Sequence, residues 1–211
     1  MRSAIGPQPE LVQHHAGGFV RLGGWLFRHR TLLPLPIALA LLLLPAQPSA
    51  TSLRWVGAAF VLAGETLRLW AVRQIGVISR TRSDRLGPLV TSGPFGYVRN
   101  PLYLGNLALW VGFTMSAGLT YLVPIVLVVL WVAYHAIVRW EEQLLEGRVG
   151  DAYHTYARQV PRWLPLVRPT VRASSRTEGF SWPQTVFSER GTLLAIVAGY
   201  GLLFLKQIFR A

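Results

Sequence analysis

The 211-residue chain is 52% hydrophobic and only 14% charged. A soluble domain carries about a quarter charged residues, so lipid rather than water is the main solvent here. Its net charge of +12 sits in arginines beside apolar runs, which reads as anchoring against anionic lipid and argues against a nucleic-acid partner. Cysteine is absent, which excludes disulfides, thiolate metal sites and a cysteine nucleophile.

In chain order, residues 1–30 read as an N-terminal cytoplasmic segment. The apolar run Leu32–Leu44 is short and holds Pro34 and Pro36. Extended through Pro45 and Ala46, it crosses only a thin or deformed bilayer. Its late start argues against a secretory signal, and a retained helix is favoured. Leu53 to about Val72 is a second span, bracketed by Trp55 and Trp70 as an interfacial belt would be. Pro101–Ala117 and Thr120–Val138 are the third and fourth. They are joined by little more than Gly118, which forces an antiparallel hairpin. Arg99-Asn100-Pro101 and Arg139-Trp140-Glu141-Glu142 are therefore expected at one membrane face. Residues 31–166 form the expected transmembrane core, 167–190 a polar linker, and 191–211 a C-terminal hydrophobic helix. Lys206 and Arg210 weigh against that last helix crossing fully. The expected fold class is all-α: a polytopic membrane bundle of about five helices with loops capping a pocket.

Arginines set the orientation. Arg2, Arg21, Arg28 and Arg30 precede the first span, and Arg73, Arg80, Arg82, Arg85 and Arg99 lie between the second and third. Arg139, Arg148, Arg158, Arg162 and others follow the fourth, against Arg54 alone on the other side. The arginine-rich face is expected to be cytoplasmic.

Two stretches on that face carry chemistry. In the first, two Gly-Pro pairs, Gly87-Pro88 and Gly93-Pro94, make a turning loop that runs into Arg99-Asn100-Pro101-Leu102-Tyr103-Leu104-Gly105. Asn100 and Pro101 read as N-cap and first helical residue. The free N–H groups of that helix start, with Arg99 beside them, suit a carboxylate. Tyr103 adds a ring and a hydroxyl, and Gly105 allows a backbone or a ligand to approach. In the second stretch, His135, Arg139 and Glu142 recur at helical spacing and so share a face. Glu141 and Glu142 point in different directions, so one of them is expected to enter a site. Tyr153 and Tyr156 share one side of a short amphipathic helix ending at Val160-Pro161. Within the second span, Glu65 and Arg68 are expected to pair, for packing before function. The histidines show no ligand spacing, and no metal is implied.

These stretches together resemble the isoprenylcysteine carboxyl methyltransferase and phospholipid methyltransferase family of membrane enzymes. The resemblance rests on Arg99-Asn100-Pro101-Leu102-Tyr103-Leu104-Gly105, Glu141-Glu142, Gly150-Asp151-Ala152-Tyr153-His154-Thr155-Tyr156 and Val160-Pro161, and covers about residues 57–165. Asn100 stands where many relatives have His. The resemblance implies S-adenosylmethionine in a cytoplasm-facing pocket, with S-adenosylhomocysteine as product. Cofactor contacts are then expected from Arg99, Asn100, Pro101, Tyr103, Gly105, His135, Glu141, Glu142, Tyr153 and Tyr156.

The acceptor would be lipophilic and enter sideways from the bilayer. A carboxylate acceptor, the favoured reading, needs a positive partner in Arg158 or Arg162. An amine acceptor, as in phospholipid N-methylation, needs a base in Glu142. Competing readings are an NADPH-dependent sterol-type reductase and a non-catalytic membrane scaffold. The dominance of arginine over lysine points to a bacterial inner membrane, and the sequence leaves oligomeric state open.

Overall fold

A computed structural model of the chain describes residues 17–47, 51–76, 89–169 and 179–210. All regular structure among them is helical: α1 (Gly18–Arg28), α2 (Leu35–Leu43), α3 (Thr51–Ile75), α4 (Pro101–Ser116), α5 (Val123–Val149), α6 (Asp151–Gln159) and α7 (Trp182–Arg210). Three stretches, Thr51–Ile75, Thr120–Val149 and Trp182–Phe209, are long and apolar enough to cross a bilayer. Their outward side chains, such as Trp55, Leu62, Val128 and Val197, are exposed and apolar, as a surface solvated by lipid requires. The protein is an integral membrane protein.

Two glycines on each side let α3 and α4 touch backbone to backbone. A Cβ on Gly64 would stand 2.7 Å from the Gly105 carbonyl oxygen, and one on Gly112 would stand 2.5 Å from that of Gly57. Small residues at such a crossing bring two helices together in lipid, where no hydrophobic drive does so. With 16 residues, α4 is about 24 Å long, short of the ~30 Å hydrocarbon core. Many of its side chains are buried among its neighbours.

The expected hairpin is present. Gly118 turns the chain at φ +73°, a conformation that favours glycine, and Leu119 N–H bonds back to the Thr114 carbonyl at 3.1 Å. Yet α4 packs most extensively on α3 rather than on its hairpin partner α5. The sequence suggested an end to the fourth span at Val138, but α5 continues without a break to Val149. Arg139 to Val149 are mostly strong helix formers, so the helix outlasts its apolar stretch. Gly150, at φ +60°, ends it and starts α6.

Two elements differ from expectation. Gly18–Arg28, inside the stretch read as an N-terminal segment, forms α1 and packs along α5: Gly23 lies against the Ala136 carbonyl and Gly24 against the Trp140 ring. The last helix begins at Trp182, nine positions before the expected Gly191. Its start is a reciprocal cap in which Ser181 N–H donates to Gln184 Oε1 at 2.9 Å and Gln184 N–H donates to Ser181 Oγ at 3.5 Å. At one end, Phe180 N–H bonds the Arg73 carbonyl at 2.9 Å. At the other, Lys206 Nζ donates to the Leu41 carbonyl at 2.6 Å. So α7 runs the length of the bundle, and its Leu203 packs with Leu41, Ala117 and Leu119 at the far end.

Candidate functional site

The loop before α4 and the chain after α6 are laced together by main-chain bonds. Arg99 N–H donates to the Pro161 carbonyl at 2.9 Å, and Leu166 N–H donates to the Tyr97 carbonyl at 3.0 Å. Asn100 occupies the N-cap position of α4, but its side chain makes no capping bond. Its amide donates instead to the Arg162 carbonyl at 3.1 Å. From α6, the Tyr156 hydroxyl donates to the Phe95 carbonyl at 2.8 Å. These ties hold the residues 161–166 as a strap across the start of α4, where Pro101 is buried.

Beneath the strap, one carboxylate receives two guanidinium groups. Glu142, buried on α5, lies 3.0 Å from Arg99 Nη1. It also accepts from Arg162 through Nε at 3.0 Å and Nη2 at 2.6 Å, a forked pairing. These bonds raise the Arg162 pKa above its ordinary value. Arg99 Nη1 donates as well to the Tyr153 hydroxyl at 3.1 Å. Burial pushes the Tyr153 and Tyr156 phenols well above the usual tyrosine range, so both stay neutral hydrogen-bonding groups. Two guanidiniums against one carboxylate leave a residual positive charge. Among the described residues, the buried Arg99 Nε–H has no hydrogen-bond partner.

Glu141 has a separate partner, accepting from the Tyr103 hydroxyl at 3.1 Å, while the Tyr103 ring packs on Tyr134 at 5.1 Å between centroids. Each glutamate of the pair is thus engaged, on different sides of α5. Trp163 Nε1–H donates to His135 Nδ1 at 3.1 Å and the two rings stack, which ties the strap to α5. An indole nitrogen only donates, so neutral His135 carries its proton on Nε2.

The structure brings together Arg99, Asn100, Pro101, Tyr103, Glu141, Glu142, Tyr153, Tyr156 and Arg162 around the start of α4, with His135 one step away. Three nominated residues stand apart. Gly105 faces Gly64 and the Arg68 stem, so the close approach it allows is to α3. Arg158 lies exposed on the outer side of α6, near Thr155. Arg139 is exposed too. At about 100° per residue, His135 and Glu142 align within about 20°, whereas Arg139 falls some 40–60° off their line. The sequence did not reveal Trp163, or the Phe95 and Tyr97 carbonyls; main-chain acceptors leave no trace in residue types. Among the described residues, no group of three His, Asp or Glu side chains is placed to hold a metal ion.

Set beside known proteins, residues 53–151 match the phospholipid methyltransferase family. The protein-S-isoprenylcysteine O-methyltransferase of Schizosaccharomyces pombe is 33% identical over 114 residues, 51% of this chain and 48% of its own. The nickel-cobalt-cadmium resistance protein NccN of Alcaligenes xylosoxydans xylosoxydans is 28% identical over 152 residues, 68% of each chain. The delta(14)-sterol reductase TM7SF2 of Mus musculus is 37% identical over 82 residues, 37% of this chain and 19% of its own. The chain spans about half the length of the yeast methyltransferase it matches. No solved structure matches. The stretch from α3 to the start of α6, which carries Arg99, Tyr103, Glu141 and Glu142, is the part of the chain similar to the phospholipid methyltransferase family.

Proposed function

We propose that this protein is an S-adenosylmethionine-dependent methyltransferase acting on a lipophilic acceptor that reaches the site from the bilayer, with the site facing the cytoplasm. One observation carries the reading. Arg99 and Arg162 share a single carboxylate, Glu142, at the start of α4, and Arg99 keeps an unused buried N–H. A residual positive charge beside free helix N–H groups fits the carboxylate of an amino-acid moiety.

S-adenosylmethionine supplies a methyl group on a sulfonium and leaves as S-adenosylhomocysteine. The chain binds, orients and excludes water. Arg99 and the first turn of α4 would hold the cofactor's carboxylate. Glu142, still held by Arg162, would face the positive charges of the cofactor, while Glu141 stays on the Tyr103 hydroxyl on the other side of α5. Tyr153 and Tyr156 stay protonated and fix the strap over the site. The strap, tied through Asn100, Tyr97 and His135, keeps water from the transfer.

Calorimetric titration of S-adenosylhomocysteine into the full chain in lipid nanodiscs tests this, with NADPH as a parallel arm because of the sterol reductase similarity. Micromolar binding by wild type, lost in Arg99→Ala and Glu142→Ala variants that keep their helical circular dichroism, is expected. Folded wild type that takes up NADPH and no S-adenosylhomocysteine would overturn the proposal in favour of a reductase.

A further inference from the structure

The strap over the site is fastened unevenly. At its start, the Pro161 and Arg162 carbonyls accept from Arg99 N–H and the Asn100 amide; at its end, Leu166 N–H donates to the Tyr97 carbonyl. Between these ties, Leu164 is 80% exposed and Pro165 is exposed, so neither holds the middle down. Among the described residues, that task falls to Trp163. Its Nε1–H donates to His135 Nδ1 at 3.1 Å, and its ring stacks on the imidazole at 6.1 Å between centroids.

An indole N–H only donates, so this bond exists only while His135 Nδ1 carries a free lone pair. A proton taken from water onto Nδ1 would set two N–H donors against each other, and the bond is then lost outright. Histidine is the side chain whose ordinary pKa, about 6.5, lies close to neutrality. The imidazole is partly exposed beside the strap. Its own helix brings Arg139 and Glu142 towards it, and the strap brings Arg162. The guanidiniums repel an added proton and the carboxylate attracts it. From α1 comes the Phe19 ring at 6.0 Å, and from α5 the Trp131 ring at 5.1 Å, neither of them charged.

The bond reaches the site through the chain itself. Trp163 follows Arg162, whose guanidinium forks onto Glu142 through Nε at 3.0 Å and Nη2 at 2.6 Å. Releasing Trp163 therefore loosens the backbone next to that fork. The closed strap holds His135 neutral, so closure is complete above the pH at which His135 titrates and is lost as pH falls through it.

We propose that His135 and Trp163 form a pH-sensitive latch: neutral His135 holds the strap closed over the Glu142 site, and protonation at Nδ1 lets the strap open. Its effect on cofactor binding rests on the methyltransferase reading; the latch itself does not.

Nuclear magnetic resonance of the full chain in nanodiscs, labelled with nitrogen-15 tryptophan, tests the latch with no ligand added. Trp163→Phe identifies the Trp163 indole signal by its disappearance. Expected between about pH 8 and about pH 4.5 is a single titration of that signal toward the position of a water-bonded indole. In His135→Asn, whose side-chain oxygen still accepts but takes up no proton, the signal should stay in place. S-adenosylhomocysteine affinity should fall at least threefold in wild type across the same range, while Trp163→Phe, which has no bond to lose, should show no such fall. Should His135→Asn fail to fold, that comparison carries the test. A wild-type Trp163 signal that never moves, one that moves alike in His135→Asn, or an equal change of affinity with pH in wild type and Trp163→Phe would each overturn the proposal. A Trp163 signal that titrates as expected, in wild type that binds no S-adenosylhomocysteine at any pH, would keep the latch and overturn the methyltransferase reading instead.

Discussion

The side-chain amide of Asn100 donates to the main-chain carbonyl of Arg162 at 3.1 Å, across 62 positions of sequence. It thereby places the Arg162 guanidinium over Glu142 and leaves the first N–H groups of α4 without a side-chain cap. Fixing the strap and freeing the helix start are two results of one contact.

Arg162 and Arg158 were equal candidates by sequence, and the structure separates them. Arg162→Ala removes the forked partner of a buried carboxylate. It should weaken S-adenosylhomocysteine binding at least tenfold, about 1.4 kcal/mol. Arg158→Ala, on the exposed side of α6, should stay within twofold. Calorimetry on the two variants side by side decides it.

Two glycine substitutions should move stability in opposite directions. Gly112→Ala forces a Cβ to 2.5 Å from the Gly57 carbonyl and should destabilise by roughly 1–3 kcal/mol. Gly147→Ala on α5 meets nothing within 4 Å and should stabilise by about 0.5–1 kcal/mol. Thermal midpoints in one detergent, read by tryptophan fluorescence, should fall for the first and rise for the second.

Tyr153 and Tyr156 make alkaline pH destabilising. A phenol is neutral when protonated, and burial raises both groups in the folded state, so the fold holds these protons more tightly than the unfolded chain. Their contribution is full below the ordinary tyrosine pKa of about 10 and is lost as pH climbs above it. In the folded protein, absorbance at 295 nm should show the same titration up to about pH 11 in wild type, Tyr153→Phe and Tyr156→Phe. Phenolate from either residue before unfolding would count against their burial.

The ends of α7 should lie on opposite sides of the membrane. The chain has no cysteine, so single introduced thiols report cleanly. In sealed vesicles, a membrane-impermeant maleimide should label Arg158→Cys from the cytoplasmic side only and Phe209→Cys from the other side only. Labelling of both from one side would show that α7 turns back.

The parts of the fold legible in sequence are those set by local pattern. The Gly118 turn, the Asn100-Pro101 helix start and the meeting of Arg99 with the Glu141-Glu142 pair all follow from a short connection between two apolar runs. Gly18–Arg28 was missed because Arg21, Arg28 and its glycines dilute its apolar side; Gly23 and Gly24 make sense only once Ala136 and Trp140 lie against them. The early start of α7 was missed because polar residues in its first turns resemble a linker, although Ser181 and Gln184 do carry a cap signature. Glu65 and Arg68 pair as their spacing suggested. Their further partners, Asn106 and Glu189, stand 38 and 121 positions from Arg68, and no periodicity reaches that far.

The shortness of α2 bears on the order in which the protein is made. With nine residues, α2 measures about 14 Å, half a bilayer, and it leans on Leu119 and Leu203. Those side chains leave the ribosome long after it does. The first apolar segment is therefore expected to settle fully only once Leu119 and Leu203 are in place. Synthesis runs from one end to the other, but assembly closes back on its beginning.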